Sequence, residues 1–211
     1  MTKRFWLIFV SLLLFSLASE AQIISFGLKG GINLASFKAG PISPEIPQFK
    51  NLLGLSGGAF VSFSLGSFII QPEFLYTRWG SKFDQIIDGY PYTLQYRLNY
   101  LEGVLLLKWR IINQGRFRPI VFAGLSYGLL TKAKLVLFDN SGSYVDSIEV
   151  KDMFKKSELA AIFGGGVEWK WPSWTISLEG RYHLGLSNIA SSAGTEFIKN
   201  KGPMFMLAMA F

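Results

Sequence analysis

Beyond the first twenty or so residues, apolar and polar side chains alternate with a period close to two, the spacing of strands with two unlike faces. Eight segments carry the pattern, and none carries helical spacing. The first runs from about Ile24 to Leu34, with Ile24, Phe26, Leu28, Ile32 and Leu34 on one face and Lys29 and Asn33 on the other. The next two cover Leu55–Leu65 and Ser67–Arg78, where Ile70, Phe74 and Tyr76 oppose Gln71, Glu73 and Thr77. The fourth, about Tyr92–Trp109, changes phase: Leu94, Tyr96, Leu98 and Tyr100 oppose Gln95, Arg97 and Asn99. Leu105, Leu107 and Trp109 then oppose Glu102 and Lys108. The switch predicts a β-bulge near Tyr100–Gly103. The remaining segments cover Phe117–Leu130, Leu159–Trp171, Trp174–Leu186 and the C-terminal stretch ending at Phe211.

The connections alternate between long and short. Short turns are expected at Gly66, at Asn113-Gln114-Gly115 and at Pro172-Ser173. Long connections are expected after strands 1, 3, 5 and 7, with Asp139-Asn140-Ser141-Gly142 turning a small hairpin inside the longest. This rhythm fits an up-and-down barrel whose short turns share one end.

Alternation alone does not say which face meets water, because a soluble barrel and a membrane barrel place the same stripe on opposite sides. Three features favour apolar outside. The polar faces are rich in glycine and serine, which suits the narrow interior of a small barrel. Tyr76, Trp79, Tyr92, Trp109, Trp169, Trp171 and Trp174 fall near strand ends, like interfacial aromatic girdles. The apolar faces are almost free of charge, and a Lys or Arg at a bilayer midplane costs about 2–4 kcal/mol. The expected fold is therefore all-β: an eight-stranded antiparallel up-and-down transmembrane β-barrel with a closed polar lumen. Its lumen would hold Lys29, Gln71, Glu73, Arg97, Glu102, Lys108, Glu168, Lys170, Glu179, Arg181 and His183, paired with one another because unpaired charges cannot stay buried.

Composition agrees. The 211 residues are 50% hydrophobic and 16% aromatic but only 17% charged. Lys3 and Arg4, the apolar run Phe5–Leu17 and the small residues around Ser19-Glu20-Ala21 form a signal peptide over residues 1–21, which leaves a barrel domain over 22–211. The chain lacks cysteine, which removes disulfides, thiolate metal sites and thiol catalysis. The net charge of +7 comes from scattered Lys and Arg, a pattern for a phosphate-bearing lipid surface and not for nucleic acid. No cofactor or metal motif stands out: Gly164-Gly165-Gly166 lacks the Lys-Ser/Thr of a phosphate loop.

Gly27-Leu28-Lys29-Gly30-Gly31-Ile32-Asn33-Leu34 resembles the opening of the PorT-like outer-membrane β-barrel family. So do Gln71-Pro72-Glu73-Phe74-Leu75-Tyr76, Asn99-Tyr100-Leu101-Glu102 running into Leu105-Leu106-Leu107-Lys108, and Arg118-Pro119-Ile120-Val121-Phe122-Ala123-Gly124. The resemblance spans almost the whole mature chain. It implies a Bacteroidetes-type outer-membrane protein, in a family with some members linked to secretion and gliding and most without an assigned activity. The terminal Phe211 resembles the C-terminal signal of the outer-membrane assembly machinery, a reading that coexists with an ordinary last strand.

The expected partners are outer-membrane lipid and lipopolysaccharide, the assembly machinery, and secretion or surface proteins bound through the long loops. The expected role is structural, adhesive or secretion-accessory, without catalysis. The alternatives are a lipid A-modifying hydrolase and a soluble periplasmic ligand-binding barrel. The hydrolase would need His183 and Ser187 to cooperate, yet four residues of strand separate them by roughly 13 Å.

Overall fold

The computed structural model describes residues 24–40, 49–87, 89–191 and 197–211; the signal peptide and its cleavage site lie outside these residues. One antiparallel sheet of nine strands contains β1 (Ile24–Ala39), β2 (Leu52–Leu65), β3 (Phe68–Ile87), β4 (Tyr90–Arg110), β5 (Phe117–Phe138), β6 (Tyr144–Glu149), β7 (Ser157–Lys170), β8 (Thr175–Gly185) and β9 (Ile198–Ala210). Each strand pairs with its sequence neighbours except at β6, which pairs with β5 alone while β7 also pairs with β5. β9 pairs back to β1, so the sheet closes on itself. The strand absent from the sequence reading is β6, the far arm of the hairpin predicted at Asp139–Gly142.

The wall is inverted relative to a soluble protein. Phe26, Leu28, Phe74, Leu105, Leu125, Leu178, Phe205 and Leu207 stand on the outside, each more than half exposed. Glu179, Lys108, Glu102 and Arg181 point inward and are almost wholly buried, at 0, 1, 2 and 3% exposure. Water outside this wall would leave each large apolar side chain short of roughly 1.5–3 kcal/mol of burial. Hydrocarbon removes that penalty, and the backbone of a closed sheet has no free edge to satisfy there.

The interior is layered. Toward the end bearing the short turns, the start of β1 and the end of β9 it is charged. Toward the other end it is apolar, with Ala35, Phe37, Trp79, Leu98, Tyr100, Leu130, Met204 and Met206 packed against Val150, Phe154 and Ile189 from the long connections. A second apolar patch, Leu75, Val104, Leu106, Ile120, Phe122 and Ile162, lines the β3–β4–β5–β7 wall.

This layering corrects four expectations. β4 has no bulge: its even-numbered side chains point inward from Leu94 through Lys108. The lining itself changes from apolar to polar. The register shift lies in the partner strand, where Asn99 faces Lys132 and Tyr100 faces Leu130, leaving Thr131 as the extra residue in β5. Arg97 consequently faces outward, because the apolar interior at that height claims Tyr96 and Leu98. Trp79 is wholly buried inside the barrel and belongs to no interfacial girdle. Finally, the predicted loop between strands 3 and 4 is hairpin: Trp79–Ile87 pair with Tyr90–Leu98, and the turn needs only the residues around Gly89, whose φ of 82° suits glycine.

Candidate functional site

Six of the residues expected in the lumen meet in one network. Lys29 on β1 reaches Glu73 on β3 (Nζ–Oε1 2.6 Å) and Glu179 on β8 (Nζ–Oε2 3.2 Å). Lys108 on β4 reaches Glu179 from across the barrel at 2.5 Å. Arg181 grips Glu73 with two nitrogens, Nη1–Oε2 2.7 Å and Nη2–Oε1 2.8 Å, and also pairs with Glu179. Gln71 donates to Glu73 at 2.6 Å and accepts from Ser62 at 3.0 Å. Aromatic faces complete the enclosure: Lys29 lies 4.9 Å from the Phe60 ring centre, while Lys108 and Arg181 lie 5.6 and 5.5 Å from that of Phe122.

Strand geometry explains the convergence. Residues 179 and 181 are successive inward positions on β8, as 71 and 73 are on β3, so each strand presents two side chains on one face about 7 Å apart. Room for them comes from β7, whose inward positions beside Glu179 and Arg181 are Gly166 and Gly164. A Cβ at either would run into the backbone of β8.

The other predicted residues lie elsewhere in the interior. Glu102 accepts from the indole of Trp79 at 2.6 Å. His183 packs against the same indole with ring centres 4.2 Å apart and planes tilted by 35°, and its Nε2 stands 3.6 Å from Oε1 of Glu158. Asn200 donates to the other Glu158 oxygen at 2.7 Å. Glu168 pairs with Arg110 at 2.7 Å near the short-turn end. Lys170 lines a cavity of about 440 Å³ at that mouth with Arg110, Arg118, Trp171 and Phe211. Arg97, outside the barrel, is held by Gln95 at 2.8 and 3.2 Å and lies over Phe138. Glu158 and Asn200 precede the first clear alternation of their strands, at Leu159 and Met204. The inward phase of β7, running through Ala160 and Ile162, reaches Glu158 once the strand starts at Ser157.

The arrangement offers little for hydrolysis. The Ser187 hydroxyl accepts from the backbone N–H of Leu159 at 2.9 Å, while His183 faces the lumen against Trp79. Its two ring nitrogens have no hydrogen-bond partner among the described residues.

At the far end, the apolar cap opens into a shallow aromatic recess of about 400 Å³ lined by Phe37, Phe49, Tyr96, Phe154 and Ile198. Phe37 meets Phe49 edge-on at 5.4 Å, and Tyr96 meets Phe154 edge-on at 5.8 Å. Above it the β5–β6 hairpin is fixed by Asp139, which accepts from the Ser141 hydroxyl (2.6 Å) and from the Ser141 and Ser143 amides (2.9 and 2.8 Å). These bonds, the Ser141 hydroxyl foremost, hold its carboxyl below the ordinary value of 3.8.

Among solved structures the chain is similar to Neisserial surface protein A (12% identity, TM-score 0.48, 88% of this chain and 95% of that one). It is also similar to the N-terminal β-barrel domain of Pseudomonas aeruginosa OprF (12%, 0.38, 89% and 97%). A third is Ail, the attachment invasion locus protein of Yersinia pestis (16%, 0.36, 89% and 97%). No curated protein matches the chain significantly. The model of an outer membrane protein β-barrel domain matches residues 19–191, and by that match over most of its length the chain belongs to the outer membrane protein β-barrel domain family.

Proposed function

We propose that this outer-membrane protein is a PorT-like, Bacteroidetes-type barrel that acts through its outer loops, as a structural, adhesion or secretion-accessory protein, and is neither a pore nor an enzyme. Eight strands would span the membrane, with β6 standing above it, after removal of the signal peptide. The observation that carries this reading is the double closure of the lumen. Ion pairs fill one half, and the Phe37–Phe154–Ile189 packing fills the other. A solute has no continuous polar path, so the accessible functional surface is the loop end: the β5–β6 hairpin, the segment Val150–Phe154 and the aromatic recess. The resemblance in the segments around Gly30-Gly31 and Pro72-Glu73 supports the PorT-like assignment.

No observation favours the lipid A hydrolase, because His183 and Ser187 are engaged separately. The soluble ligand carrier is disfavoured by the apolar outer wall. The test is site-specific photo-crosslinking in intact cells from the exposed loop positions Tyr144 and Met153, with lipid-facing Phe163 as control. A discrete protein adduct from the loop sites and none from Phe163 is expected. Equal labelling from all three positions, or lipid adducts alone, would remove the loop-partner reading.

A further inference from the structure

We infer that the outer wall of β3, β4 and β5, just above the apolar belt, carries a phosphate site for the headgroup of an outer-leaflet lipid A molecule, built from Arg78, Arg97, Lys132 and Lys134 with Asn99. The strand register assembles it. Arg78 faces Asn99, which faces Lys132; one outward position higher, Gly80 faces Arg97, which faces Lys134. Four cations thus occupy two adjacent rows on three neighbouring strands, around a groove of about 340 Å³.

The bulge at Thr131 is what makes the cluster possible. Below it the even-numbered side chains of β5 point inward, as Ser126, Gly128 and Leu130 do; above it the phase reverses and Ala133 points inward. Lys132 and Lys134, which unbroken alternation would drive into the apolar cap, are turned outward beside the two arginines.

Three observations distinguish this patch from cations that merely reach toward water. First, the ion pairs among the described residues all lie elsewhere. Glu149, opposite Lys134 on β6, is the one carboxylate that the register sets on these two rows, against four cations. Like charges gathered this closely repel, and a bound anion relieves the repulsion. Second, the guanidinium groups are held in place. Arg78 donates to Asn99 (3.4 Å), and Arg97 donates twice to Gln95 while its plane covers Phe138. Guanidinium forks match phosphate oxygens, and lysines add mobile point charge. Third, the row below is Tyr76, Leu101 and Leu129, two residues down β3 and β4 and three down β5, past the exposed Thr131. A ligand there would have phosphate at the cations and hydrocarbon against the apolar wall. That combination describes a phosphorylated lipid rather than a soluble anion.

The inference rests on the chain spanning the outer membrane and is independent of any protein partner of the loops. The test is native mass spectrometry of the refolded mature barrel in an uncharged alkyl-glycoside detergent. The probes are bis-phosphorylated lipid A, the same lipid stripped of its phosphates, and inorganic phosphate. The variants are R97E/K134E and, as a control with the same charge change, K38E/K199E, which reverses two outward cations paired across β1 and β9. Heat-modifiable gel migration of each variant shows that the barrel has folded, so a failed membrane fold is told apart from a failed site.

Four charge units next to a phosphate are expected to weaken lipid A binding by at least about tenfold in R97E/K134E, with K38E/K199E unchanged. The dephosphorylated lipid should bind no better than that variant. Equal losses in both variants, or retention of the dephosphorylated lipid by the parent, would overturn the site. Inorganic phosphate displacing nothing is the expected companion result; its binding as tightly as lipid A would overturn the lipid assignment in favour of a free anion.

Discussion

Glu179 shows how much one buried residue can hold. It is fully buried and meets Lys29, Lys108 and Arg181, so three cations on three strands share it. With Glu179→Leu, those three would be left with Glu73 as the carboxylate of their network. Removing one partner of a buried pair costs about 3–5 kcal/mol because the other charge stays desolvated. The variant should lose stability on that scale in urea unfolding from lipid vesicles, and Glu73→Leu should behave alike. Leu105→Ala on the lipid face should change little by comparison. If Glu179→Leu unfolds at the parent's denaturant concentration, the network does not hold the wall together. Phe211 poses a different question. Its backbone exchanges hydrogen bonds with Phe26, at 2.8 and 3.2 Å, so it closes the seam between the first and last strands. Phe211→Ala keeps those bonds and removes only the ring. Normal refolding in vitro with reduced assembly in cells is therefore the expected signature of an assembly signal, and unchanged assembly would remove that role.

At the scale of elements, the sequence displays alternation clearly but not which side of the wall is polar. Below the Trp79–Tyr100 level the lumen holds the ion pairs beside the apolar patch on the β3–β4–β5–β7 wall, and the outside is apolar. Above it the lumen lining is mainly apolar, and the outward positions turn polar, as at Lys82, Gln95, Arg97 and Asn99. The reversal of polarity in β4 therefore mimics a bulge, and it assigned Arg97 to the wrong face. The ion-pair network was legible because Lys29, Glu73, Lys108, Glu179 and Arg181 all lie below the reversal, where the simple rule holds. Trp79 follows the same pattern, and Glu158 lies outside the readable alternation because β7 begins at Ser157, two residues before the first apolar position, Leu159. The β3–β4 hairpin was hidden by Gly80, Gly89 and Pro91, which read locally as loop; cross-strand pairing over Trp79–Ile87 overrides that preference. Two tests belong here. Deleting Thr131 removes the extra residue and leaves Leu130 and Lys132 consecutive opposite Tyr100 and Asn99, so the strand alternates without a break and Lys132 stays outward. The deletion variant should therefore keep heat-modifiable folding, as should Thr131→Ala; loss of folding in the deletion alone would show that the barrel needs the bulge itself and not only the outward phase of Lys132. The β5–β6 hairpin should also respond to acid. Asp139 has its carboxyl depressed in the folded turn, so the stability it contributes is present above its ordinary value of 3.8 and lost as pH falls through the lower folded value. Amide exchange at Ser143, corrected for intrinsic rate, should accelerate below that value and be insensitive to pH in Asp139→Asn.

For the whole molecule the decisive property is that its two halves are sealed by unlike means. The closed sheet has an interior narrow enough for side chains to fill, so no excess lumen has to be plugged by a separate segment. Charged side chains fill the half nearer the short turns. Apolar side chains, with Val150 and Phe154 folded in from the connection after β6, fill the other. The two seals lie at different heights of the wall: the ion-pair network joins Lys29, Glu73, Lys108, Glu179 and Arg181, whereas the cap packs Phe37, Trp79 and Tyr100 of the same strands under Val150, Phe154 and Ile189 from the connections. Planar-bilayer recording should therefore show no steady conductance for the parent. The variant K29S/E73S/E179S/R181S removes two charges of each sign and leaves a polar, loosened lower lumen, yet the cap should keep it closed. A cap variant, F37S/F154S, should also stay closed above the intact network. Only the combination should pass ions. Conductance from the first variant alone would show that the apolar end is permeable in the membrane and would reopen the question of a pore. Conductance from the cap variant alone would show that the ion pairs hold the strands together without blocking the path between them.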